Sequence, residues 1–126
     1  MAAPTGDAAN GETVFGKRCV TCHVVVNAEG EKLAGRAART GPNLFQVAGH
    51  AAGTAEDFRY GKDLAAAGEA GLTWTEENFV AYVQDPHGFL RSHTGDDGAR
   101  SKMSFRLKSA EDAADIYAYL VTLDEM

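Results

Sequence analysis

The chain contains two cysteines, and they stand two residues apart with a histidine directly after the second: Cys19-Val20-Thr21-Cys22-His23. Residues at i and i+3 share one side of a helical turn, so both sulfurs reach one edge of whatever lies against that turn. The next imidazole can then face its centre. This spacing reads as covalent attachment of a c-type haem, with thioethers from Cys19 and Cys22 and an iron ligand from His23. The alternatives fit less well. A structural zinc site needs four ligands, and there is no further cysteine. A redox dithiol belongs with a βαβ pattern, which is absent. A disulfide closing so short a loop adds little stability.

At 126 residues the chain is expected to form one domain, with residues 1–4 a disordered or processed end. Charged residues are 24% and hydrophobic ones 44%, a globular balance. No apolar run is long enough to span a bilayer, and no charged-then-apolar export signal opens the chain. Haem is normally attached outside the cytoplasm, so the expectation is a mature, exported form in which Met1 is an added residue. The net charge is −6, but its distribution is uneven. Arg91, Arg100, Lys102, Arg106 and Lys108 cluster, opposed only by Asp96 and Asp97, while the acids gather elsewhere. A basic patch on an acidic body can orient a partner during encounter, or it is simply solvated surface. An acidic chain without basic runs argues against nucleic acid as a partner.

Periodicity gives an all-α chain with long loops. A first helix is expected over residues 5–18, with Asp7 near its start and Gly11, Val14, Phe15 and Arg18 following at helical spacing. Gly11 is costly inside a helix, which implies that another backbone comes close there. Residues 24–40 read as an extended loop, Gly41-Pro42-Asn43-Leu44 as a turn, and residues 49–61 as loop. A short helix is expected over residues 62–70. A clearer one runs from Thr75 to Gln84, capped by Thr75 and ended by Pro86. One more turn is expected over residues 87–92, then a polar loop over residues 94–101. The last helix starts at Ser109-Ala110-Glu111-Asp112, with Ala113, Ile116, Leu120 and Leu123 as its buried stripe. No strand pattern is visible.

A histidine that ligates metal usually donates its other ring N–H to an acceptor, often a carbonyl, and the turn at Pro42 is a candidate. The iron's sixth position needs a second ligand. Met1 and Met126 lie at the chain ends, which leaves Met103. Its bland alternative is core filling, and His50, His87, His93 and Lys102 are rival ligands. A thioether favours ferrous iron and raises the potential, whereas a second histidine lowers it.

With these residues in view, the sequence resembles the class I c-type cytochromes, in the long-loop form of the bacterial cytochrome c2 branch close to mitochondrial cytochrome c. The resemblance rests on Gly11 and Phe15, Cys19 to His23, and Thr40-Gly41-Pro42-Asn43-Leu44. It continues through Gly71-Leu72-Thr73-Trp74, Tyr82, Asp85-Pro86, Lys102-Met103-Ser104-Phe105, and Ile116, Tyr119 and Leu120. It implies the cytochrome c fold, with the first and last helices crossing: Gly11 and Phe15 on Ile116 and Tyr119. It implies one haem c on Cys19 and Cys22, His23 and Met103 as axial ligands, and the Pro42 carbonyl accepting from His23. Trp74, Tyr60 and Ser101 are expected at the propionates, Tyr82 near the Met103 sulfur, and Phe105 beside the exposed haem edge. The loops at residues 24–40 and 92–101 are longer than in the mitochondrial proteins. His50 stands where the family usually has an arginine near an inner propionate, so we expect it to couple its charge to the iron.

The function implied is a monomeric single-electron carrier of the periplasm, not an enzyme. Arg18, Lys102, Arg106 and Lys108 would form its docking surface. It would take electrons from the cytochrome bc1 complex and pass them to a photosynthetic reaction centre or a cytochrome oxidase. The rivals are a peroxidase-like or gas-binding protein with a displaceable Met103, and a structural haem domain of a larger oxidase.

Overall fold

A computed structural model of the chain describes residues 4–36, 38, 40–55 and 58–124. Helix α1 runs over Ala8–Arg18, and the Asp7 side chain caps it by accepting the Ala9 N–H. The expected start at residue 5 is moved inward because the preceding residues bond elsewhere. The Asp7 N–H donates to Asp115 at 2.6 Å, and the Thr5 N–H donates to Glu76 at 2.8 Å. Of the end expected to be disordered or processed, Pro4 is described; residues 1–3, with Met1 among them, lie outside the described residues, as does Met126.

The loop expected over residues 24–40 contains a small antiparallel ribbon, β1 (Val25–Val26) and β2 (Lys32–Ala34). Asn27 closes its turn: the buried side-chain oxygen accepts from the backbone of both Glu29 and Glu31. Strands of two and three residues are too short to show an alternation pattern, so the ribbon corrects the expectation that no strand exists. A single bridge also joins Ala51 and Thr73.

Helix α2 spans Lys62–Glu69, and α3 spans Glu76–Gln84 with Thr75 accepting from Asn78 N–H as its cap. Asp85-Pro86 ends α3 as expected but also begins α4 (Pro86–Thr94), longer than the expected turn. The Asp85 carboxylate accepts from Gly88 N–H, and Pro86 occupies the first helical position, where its missing N–H costs nothing. Helix α5 covers Ala110–Leu123, capped by Ser109 on Asp112 N–H.

The crossing of α1 and α5 is the most extensive helix contact; α3 packs on α5, and α4 on both α2 and α3. A β-carbon on Gly11 would overlap the Asp115 carbonyl, so the close backbone approach inferred from the sequence is present. Phe15 of α1 packs its ring on Tyr119 of α5, and Phe15, Ile116 and Leu120 are each at most 2% exposed. Full burial of one such side chain contributes about 1.5–3 kcal/mol. The crossing fixes the end of α1, and the end of α1 carries the Cys19–His23 segment.

Candidate haem-binding site

Helix α1 closes on the cysteine motif itself. The Cys19 N–H returns to Phe15 O, and Cys22 and His23 N–H both donate to Cys19 O, at 3.1 and 3.0 Å. This turn brings Cys19, Cys22 and His23 to the wall of one cavity of about 690 Å³. Loop 40–44 is stitched to the same segment by Gly41 N–H to Cys22 O at 2.7 Å and Leu44 N–H to Val24 O at 3.0 Å. Asn43 adds three bonds, accepting from Val26 and Phe45 N–H and donating to Val26 O. The result places Pro42 O at 2.9 Å from His23 Nδ1. With Nδ1–H donating there, Nε2 is left with its lone pair for a metal. A β-carbon at Gly41 would overlap the imidazole ring, so glycine is what lets the loop lie so near.

Electrostatics agree with this arrangement. Burial lowers the His23 pKa, with the Pro42 carbonyl opposing it, so the ring is held in its neutral, ligating form. The Cys19 thiol is pushed up to about 12, first by burial and then by Cys22. Such a wall suits an uncharged sulfur, thiol or thioether, better than a thiolate. Among the described residues no group of three or more His, Cys, Asp and Glu side chains could hold a metal ion, so a zinc site has no set of donors.

Met103 lies on the wall of the same cavity, packed against the core. Its loop is pinned at four consecutive residues. Arg100 N–H donates to Asp63 at 2.8 Å, and Ser101 N–H to His87 Nδ1 at 3.0 Å. Lys102 Nζ donates to Arg59 O at 2.6 Å, and Met103 N–H to Ser101 Oγ at 3.1 Å. Tyr82 OH also bonds Ser101 Oγ, and both residues are buried. Burial, the largest cause, raises the Tyr82 pKa, and the Ser101 bond opposes the rise.

Trp74, Tyr60 and His50 complete the wall. Trp74 is 7% exposed and its ring is 4.9 Å from that of Tyr82. Tyr60 OH accepts from Ala55 N–H and packs edge-on against Phe58. His50 is exposed, with its carbonyl fixed by Trp74 N–H. Phe105, 39% exposed, is the one large exposed hydrophobic side chain among the described residues, and it also lines the cavity. A cavity of this size, apolar with a few convergent polar groups, fits a large planar cofactor. Two thiols, a neutral imidazole and a thioether on its walls are a donor set suited to haem c.

The cations expected at a docking surface behave differently from one another. Arg18 and Lys108 are exposed. Arg106 is exposed but within 3.6 Å of Asp85. The Lys102 ammonium is tied to Arg59 O and lies 5.7 Å from the Phe58 ring centre. The roles of His87, Asn43 and Asp63 were missed in the sequence, because each acts through a backbone partner brought close only by the fold.

The sequence profile of the family described as cytochrome c matches residues 8–124. The chain is 53% identical over 119 residues to a cytochrome c2 of Rhodovulum adriaticum, covering 94% of each protein. It is 52% identical over 118 residues to a cytochrome c-551 of Roseobacter denitrificans, covering 94% of this chain and 81% of that protein. Its fold matches the crystal structure of a cytochrome c2 from Rhodobacter sphaeroides with a TM-score of 0.90 at 51% identity, covering 93% of this chain and 95% of that one.

Proposed function

The chain belongs to the cytochrome c family, binds covalently attached haem c and is an electron carrier, and from that premise we propose that it is closed to substrate by two protein ligands, His23 and Met103. Cys19 and Cys22 would hold the haem through thioethers. When bound, haem supplies a one-electron ferric–ferrous couple. His23 gives Nε2, because Pro42 O holds the proton on Nδ1. Met103 gives a soft, uncharged sulfur that favours the lower iron charge. Trp74, Tyr82 and Phe79, all buried, keep water from that wall. Phe105 leaves an apolar rim through which an electron can pass to a docked partner.

The observation that carries this reading is the pinning of residues 100–103 at every residue, which supports a sulfur that stays in place in both oxidation states. A peroxidase-like or gas-binding protein needs a sixth position that is open or readily vacated. Four consecutive hydrogen-bonded residues oppose that.

Arg18, Lys102, Arg106 and Lys108 each lie within a few residues of the cavity wall along the chain and form the proposed docking surface. The partners are the cytochrome bc1 complex as donor and a photosynthetic reaction centre or cytochrome oxidase as acceptor, with the protein acting as a monomer in the periplasm. The test is a redox titration followed by mixing with bc1 complex and with reaction centres. The expected result is one reversible one-electron wave, with fast reduction by the first and fast oxidation by the second. A protein that titrates normally but reacts with neither refutes the partners.

A further inference from the structure

Ser101 is 8% exposed, so its amide needs an acceptor within the protein. That acceptor is Nδ1 of His87, at 3.0 Å. His87 sits in the first turn of α4, directly after the buried Pro86 and the Asp85 cap, and it is not on the cavity wall. Its ring is therefore carried by a well-anchored helix end. The Ser101 hydroxyl in turn accepts from Met103 N–H at 3.1 Å and bonds Tyr82 OH. A continuous path of hydrogen bonds runs from α4 through His87 and Ser101 to the backbone of Met103.

We propose that His87 is a positioning residue for Met103, its Nδ1 lone pair fixing the Ser101 amide and so the loop that presents the sulfur. The proposal rests on the reading of Met103 as an axial ligand. Its chemistry is specific: an acceptor atom is required at the Nδ1 position, and the rest of the ring is not. Asparagine places Oδ1 close to where Nδ1 stands. Leucine fills similar space and leaves a buried N–H without a partner.

The experiment compares wild type, His87→Asn and His87→Leu in the haem-loaded protein. The weak red-end absorption of the ferric form, which marks sulfur ligation, is recorded first. The rate at which cyanide abolishes it then reports how often the sulfur leaves. The expected outcome is a rate roughly tenfold faster in His87→Leu, the factor one lost buried hydrogen bond carries, and within about twofold of wild type in His87→Asn. Equal rates in His87→Leu and wild type overturn the proposal, as does an asparagine variant as fast as the leucine one. A wild-type protein without the red-end band refutes Met103 ligation itself, and the proposal with it. Hydrogen exchange in the wild-type protein tests the same bond without any substitution. Slow exchange of the Ser101 amide is expected, and exchange as fast as in the exposed residues 96–98 overturns the assignment.

Discussion

Gly11 in α1 lies so close to Asp115 in α5 that a β-carbon added to it would run into the Asp115 carbonyl and reach 2.9 Å from Tyr119 Cβ. Alanine at this position would raise helix propensity by about 1 kcal/mol, yet it would force two packed backbones apart. Overpacking of this kind costs about 1–3 kcal/mol, and here the obstructing atom is backbone, which cannot rotate away. Gly11→Ala is expected to lower stability in denaturant unfolding. A neutral or stabilising result would mean that the helices slide apart without cost.

Tyr117 OH donates to Trp74 O at 2.7 Å, joining α5 to the cavity wall. Burial, ahead of the Glu76 and Asp124 charges, raises its pKa. In the unfolded chain a tyrosine loses its proton near pH 10, while the folded one still holds it. The unfolded state then carries fewer protons, so stability falls as pH rises through that window and is complete below it. Tyr117→Phe should cost about 1 kcal/mol at neutral pH, and the gap to wild type should narrow above about pH 10. Parallel pH–stability curves for the two proteins would refute this.

The exposed cations should govern encounter rather than stability. The Arg106–Asp85 pair, with side chains 62% and 47% exposed, is of the surface kind that contributes little. Lys108→Glu and Arg106→Glu are therefore expected to unfold much as wild type does. Their reaction with bc1 complex should slow at low ionic strength and converge with wild type as salt screens the field. Rates insensitive to salt in all three proteins would remove the docking surface from the account.

His50 lines the cavity while remaining exposed. A fixed positive charge at this place would disfavour ferric iron, so His50→Arg should raise the midpoint potential above that of wild type. Redox titration of the two proteins checks this. An unchanged potential would show that charge at residue 50 does not reach the iron.

Local signals made much of this molecule readable from its sequence, and tertiary ones did not. Asp7, Thr75 and Ser109 each cap a helix through bonds two or three residues away, and the cysteine motif is likewise a matter of neighbours. Helix α1 starts later than its local pattern suggests because Asp7 N–H finds its acceptor in Asp115, 108 residues on. Helix α4 is longer than the sequence suggests because Asp85-Pro86, a stop signal for α3, also caps and opens the next helix. Met103 could be singled out because two other methionines stand at the ends. His87 and Asn43 carried no comparable mark, since a histidine or asparagine is chosen for a backbone partner only after the fold brings that partner close.

The claim on which the rest depends is that His23 and Met103 together close the iron. Exposure of the reduced, haem-loaded protein to carbon monoxide at neutral pH tests it most directly, with Met103→Ala as the open reference. The account predicts a wild-type spectrum that stays unchanged while the alanine variant binds at once. Immediate binding by the wild type would contradict it.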